Sequence, residues 1–107
     1  MTRVVVIDYG MGNLHSVSKA LEAVSTSEEI VISSDHKIIK SADKIVLPGV
    51  GGIKDCMEAF SLDLKERVIA ELKNKPTLAI CVGMQMLLKF SEVNGGVEGF
   101  NILNGSI

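Results

Sequence analysis

Pro76-Thr-Leu-Ala-Ile-Cys81-Val-Gly83-Met-Gln85-Met-Leu-Leu88 opens as an apolar, β-like run and closes as a helical one, with a cysteine at the break. A strand that turns sharply into a helix around a nucleophilic side chain is the layout of a nucleophile elbow. The turn lifts the side chain clear of the sheet. The N–H groups at the start of the following helix point toward the sulfur, which favours thiolate, and the same groups can stabilise a neighbouring oxyanion. Gly83 would let the backbone turn tightly and let a substrate come close. The plain alternative is a small apolar cysteine packed between Ile80 and Val82.

Outward from this stretch, strands and helices alternate. Arg3–Ile7, Glu29–Ser33, Lys44–Leu47 and Thr77–Ile80 are short, β-branched runs that read as strands. Between them, Leu14, Val17, Leu21 and Val24 recur at helical spacing behind Asn13, a plausible N-cap. Asp35 to Lys40 reads as a helical turn capped by Asp35 or Ser34, and Lys54 to Phe60 as a short helix. Asp63 to Asn74 reads as a longer one, with Asp63 and Glu66 at capping-box spacing and Leu64, Val68, Ile69 and Leu72 on its apolar face. The helix after the elbow is expected over Val82–Phe90, a loop over Ser91–Gly99, and the start of a further strand over Asn101–Ile107. This alternation predicts an α/β fold, an open, mostly parallel sheet with helices on both faces. Ligands of such sheets bind outside the carboxyl ends of the strands, where Asp8–Asn13, Pro48–Gly52 and Cys81–Gln85 lie. The sheet looks truncated, because strands that would cover one apolar edge are not in the sequence.

The 107 residues, 47% hydrophobic with a formal charge of -2, suit one ordinary domain. No basic cluster or aromatic–basic interleaving suggests nucleic acid. No apolar run is long enough for a bilayer and the N-terminus does not resemble a signal peptide, so the expected location is cytoplasmic. Cys56 and Cys81 form neither a disulfide framework nor a zinc set, so no metal is expected.

Pro48-Gly-Val-Gly-Gly52 is neither a P-loop nor a dinucleotide fingerprint. Its place on the ligand edge suggests a loop whose glycines let a peptide N–H turn toward a developing oxyanion; a plain turn is the bland alternative. Gly10-Met-Gly12 lacks the third glycine of a phosphate loop, since position 15 is histidine. The two histidines, His15 and His36, read as surface or capping residues, not as bases beside the Cys81 strand. Cys56, Met57, Met84 and Met86 read as packing, and Lys37, Lys40, Lys44 and the run Lys65 to Lys75 as solvated faces.

Ile7-Asp-Tyr-Gly-Met-Gly-Asn-Leu14, Leu47-Pro-Gly-Val-Gly51, Ile80-Cys-Val-Gly-Met-Gln85 and the later Ser91-Glu to Gly99 run closely resemble the glutamine amidotransferase subunits of imidazole glycerol phosphate synthase. The elbow by itself would specify only class I glutamine amidotransferases; the first two motifs narrow it to this subunit type. The resemblance implies a flavodoxin-like sheet and hydrolysis of glutamine by a Cys-His-Glu triad, without a cofactor. The ammonia passes to a (β/α)8-barrel cyclase partner in histidine biosynthesis. It further implies Cys81 as the nucleophile that forms the glutamyl thioester, and the Val50 and Val82 N–H groups as oxyanion donors. Gly51 and Gln85 would line the glutamine pocket, and Asn13 would lie in the motif facing the cyclase.

The sequence departs from the family in two ways. Ala79 stands where many members have glycine, an added methyl that should be tolerated. More importantly, the His and Glu of the triad come late in the family, and no histidine follows Cys81 here. Residues 1–107 therefore read as the N-terminal part of a single glutamine amidotransferase domain, expected to have no useful glutaminase activity by itself. Two other readings stand beside this one: a paralogous amidotransferase that feeds ammonia to another synthase, and a non-catalytic docking module. A flavin-binding module fits poorly, since the first loop lacks a hydroxyl-rich phosphate cradle and Tyr9 is the only aromatic at hand.

Overall fold

β1 (Arg3–Ile7) pairs in parallel with β2 (Glu29–Ser33) on one side and with β3 (Lys44–Leu47) on the other. β3 in turn pairs in parallel with β4 (Thr77–Ala79), so the strand order is β2-β1-β3-β4. The computed structural model describes residues 2–91, 97–100 and 102–106. The register places Val5 beside both Val31 and Ile45, and Val46 beside Leu78.

Side chains alternate across a strand, so each strand feeds two cores. Val4, Val6 and Val46 face α1 (Leu14–Val24), which covers them with Leu14, Val17 and Leu21. Val5, Ile7, Ile45 and Leu47 face the other way, toward α2 (His36–Ser41), α3 (Ile53–Ala59), α4 (Leu62–Leu72) and α5 (Val82–Met86). Ile39, Ile53, Cys56, Phe60, Val68, Leu72 and Met86 complete that larger core. Burying each aliphatic side chain of this size contributes about 1.5–3 kcal/mol. The sheet is thus parallel with helices on both faces, as the alternation predicts.

Several local expectations change. Asn13 holds the N-cap position of α1, but its side chain makes no capping bond; its carbonyl accepts from the Val17 N–H instead. Val24, the last residue of α1, is exposed and does not join the core. α4 begins one residue before Asp63, and its cap is Ser61, whose hydroxyl accepts from the Leu64 N–H at 3.2 Å. Asp63 instead pairs with Arg67 along the helix surface. Lys75 is not a solvated side chain: its ammonium donates to the Ile39 and Lys40 carbonyls and pairs with Glu71, neutralising the carboxyl end of α2. The α2 cap is Asp35, as expected.

The largest change follows the elbow. α5 stops at Met86, well short of Phe90, because the returning chain takes the carbonyls a longer helix would use. Phe100 N–H donates to the Met86 carbonyl at 2.7 Å and Ile102 N–H to that of Leu87 at 2.9 Å. Leu88–Ser91 becomes β5, flanked by an antiparallel β6 (Val97–Glu98) and a parallel β7 (Leu103–Ser106) in a second, three-stranded sheet. The expected loop over Ser91–Gly99 therefore takes in the last residue of β5 and the whole of β6, and its residues 92–96 lie outside the described residues. The expected strand from Asn101 does form, in this second sheet; residues 101 and 107 lie outside the described residues.

Candidate active site

Cys81 stands between β4 and α5 with φ 54° and ψ −122°. Among the described residues it is the only non-glycine with a positive φ. That region is essentially reserved for glycine, and a side chain held there costs of order 1–3 kcal/mol. The strain is sustained from both sides. Ile80 N–H extends the β4 pairing to the Leu47 carbonyl at 3.0 Å, and Gly83 and Met84 donate back to the Ile80 and Cys81 carbonyls at 3.0 Å. The result is an exposed thiol on a tight turn. Cys56, by contrast, is buried. With only five residues, α5 contributes one turn of N–H groups toward the sulfur, a modest field.

The Pro48–Gly52 loop packs directly on this turn. A Cβ on Gly49 would fall 2.7 Å from the Gly83 nitrogen, and a Cβ on Gly83 would overlap the Leu47 carbonyl oxygen. Glycine at both positions is what lets the two backbones touch. The first loop closes the third side: a Cβ on Gly12 would lie 3.2 Å from Pro48 Cβ. The three loops that the sequence assigns to the ligand edge therefore meet.

Each expected site residue can be placed in this frame. Cys81, Val82 and Gly83 form the turn, with Val82 and Gly83 buried. Val50 and Gly51 are exposed on the adjacent loop, and Gln85 is half-buried on α5. Met84 is exposed and Met86 buried, so the expectation that both fill the core holds only for Met86. Asn13 is exposed at the start of α1. His15 and His36 are exposed on α1 and α2.

The residue that sequence reasoning undervalues is Tyr9. Its ring is buried against Phe60, with centroids 4.2 Å apart and planes 17° from parallel, and Phe60 meets Phe100 edge-on at 5.2 Å. Its hydroxyl donates to the Pro48 carbonyl at 2.5 Å and lies 3.6 Å from Met86 Sδ. Burial, reinforced by the neighbouring Cys56, pushes the phenol pKa well above its ordinary range, so Tyr9 is a neutral donor. The signal lies in the alternation: Val5, Ile7 and Tyr9 share one face of the strand and its continuation.

A recess of about 460 Å³ is lined by Val17, Ala20, Leu21, Val24, Leu78 and Ile80, on the α1 side of β4. Cys81 lies outside it.

A model of the class-I glutamine amidotransferase family matches residues 5–98. Over its whole length the chain is 51% identical to the imidazole glycerol phosphate synthase subunit HisH of Acinetobacter baylyi, covering 52% of that protein. It is 52% identical to the protein of the same name from Pseudomonas syringae pv. syringae, covering 50% of it. A solved structure described as that of a GMP synthase subunit from Thermoplasma acidophilum shares 28% identity at a TM-score of 0.54, over 79% of this chain and 42% of that one. The chain spans about half the length of the curated relatives it matches. An exposed cysteine on a strained strand-to-helix turn, a glycine loop packed against it, and a family match across most of the residues make this chain a member of the class-I glutamine amidotransferase family.

Proposed function

We propose that this chain is the N-terminal part of the single glutaminase domain of an imidazole glycerol phosphate synthase, working in the cytoplasm and in histidine biosynthesis. The observation that carries the reading is the backbone of Cys81, a positive φ at an exposed thiol directly against the Pro48–Gly52 loop. In the proposed reaction, the Cys81 thiolate attacks the side-chain amide carbon of glutamine. The carbonyl oxygen becomes an oxyanion that accepts from the Val50 and Val82 N–H groups. Collapse expels ammonia, which needs a proton, and leaves a glutamyl thioester that water cleaves to glutamate. Gly51 and Gln85 would line the pocket that holds the glutamine.

Proton transfer for the leaving ammonia and for the attacking water needs a base, a role we assign to neither His15 nor His36, both exposed on α1 and α2. The second half that the relatives carry is the proposed source of that histidine and its glutamate, so these 107 residues taken alone are proposed to be inactive. The partner would be a (β/α)8-barrel cyclase in a heterodimer. Asn13 supports that surface, being exposed with a side chain not spent on capping α1. The likeness to a GMP synthase subunit favours one alternative, an amidotransferase serving a different synthase.

The test is Cys81→Ser in the assembled synthase. Glutamine-dependent synthesis should fall by at least about a thousandfold while synthesis from added ammonia survives. Loss of neither would point to a docking module, and an active assembly whose product is not the imidazole would point to the other synthase.

A further inference from the structure

The loop beside Cys81 is gripped at two carbonyls, on either side of the peptide that matters. Tyr9 Oη donates to the Pro48 carbonyl at 2.5 Å, and Cys56 Sγ donates to the Val50 carbonyl at 3.3 Å. The first carbonyl belongs to the Pro48–Gly49 peptide and the second to the Val50–Gly51 peptide. Between them lies the Gly49–Val50 peptide, whose N–H is that of Val50. A single peptide can swivel between fixed neighbours through opposed changes in the ψ before it and the φ after it. Where its N–H can point is then set by how its neighbours are held.

Both grips are built into rigid parts of the molecule. The Tyr9 ring is stacked on Phe60, and Cys56 is fully buried on α3. Gly51, directly after the second gripped carbonyl, holds φ 80°, which lets the loop leave the grip without strain. Tyr9 and Cys56 are both buried, whereas the Cys81 thiol is exposed, so on the proposed reading they act on the loop and not on substrate.

On the glutaminase reading above, we propose that Tyr9 and Cys56 are positioning residues for the oxyanion loop, which hold the Pro48 and Val50 carbonyls and thereby aim the Val50 N–H at the developing oxyanion. The oxyanion forms only as the thiol attacks, so a mis-aimed donor should weaken turnover and not glutamine binding.

The experiment uses the complete domain, this chain continued by the second half its relatives carry, assembled with its synthase partner. Glutamine hydrolysis is measured for Cys56→Ala, Cys56→Ser, Tyr9→Phe and Cys81→Ser. Cys56→Ala and Tyr9→Phe should each lower kcat about tenfold with KM for glutamine nearly unchanged, a fraction of what deleting an oxyanion donor outright costs. Cys56→Ser keeps a donor to the Val50 carbonyl and should retain most of kcat. Tyr9→Phe keeps the stacked ring, so it reads the hydroxyl alone even if Cys56→Ala is poorly folded. Unchanged kcat in Tyr9→Phe, or equal losses in Cys56→Ala and Cys56→Ser, would overturn the proposal while leaving the nucleophile intact. An active Cys81→Ser would instead remove the glutaminase reading on which the proposal rests.

Discussion

Cys81 occupies a conformation that the protein must hold against its own side chain. The thiol is exposed, so removing it sacrifices little packing. Cys81→Gly should therefore raise stability by about 1 kcal/mol, measured by urea unfolding, because only the strain at φ 54° is removed. A loss of stability would mean that the turn is not strained. At this scale the sequence is legible where a residue type and a break in periodicity coincide, as at Cys81 and the glycines of 48–52. It is less legible where the role depends on what a long-range partner offers. Tyr9 and Pro48 are 39 residues apart, and no local pattern tells that a phenol reaches a particular carbonyl. Lys75 on the α2 carbonyls is the same kind of miss.

Among the elements, the parallel strands are the easiest to read, because strands buried on both faces are near-continuous β-branched runs. β1 and β3 begin and end where those runs do, and so does β2, although as an edge strand it is only half-buried. Helix ends are harder, since several residues near each end can serve as a cap. For α4 the competing candidates make different predictions. Ser61→Ala should cost about 1 kcal/mol, because the Leu64 N–H loses its acceptor. Asp63→Ala should cost no more than about 0.5 kcal/mol, since it removes only an exposed i,i+4 pair with Arg67. Thermal unfolding of the two variants compares them, and a larger effect at Asp63 would restore it as the cap. The helix after the elbow is overestimated from sequence because Val82–Phe90 has acceptable helical periodicity. Competition for the Met86 and Leu87 carbonyls comes from residues more than a dozen positions later, at Phe100 and Ile102.

At the scale of the molecule, the four-stranded sheet is covered by helices on both faces, and among the described residues β4 has no strand on its outer side. Leu78 is 53% exposed there, beside the apolar recess that runs under α1 to Val24, itself 79% exposed. An unpaired strand edge next to exposed aliphatic side chains favours association between copies. Leu78→Lys should lower self-association of this chain, read by static light scattering across a concentration series, without changing its circular dichroism. Equal scattering from both proteins would show that this edge is not what drives association. The strand at that margin is also the one that delivers the nucleophile. β4 is three residues long and is paired only to β3 among the described residues. Amides on such a strand open at lower free energy than those of β1, which is gripped on both sides. The thiol can therefore lose its geometry through a local, reversible fraying that leaves the rest of the chain folded. How long the elbow keeps its shape is set by how often one short strand lets go, not by how stable the molecule is as a whole.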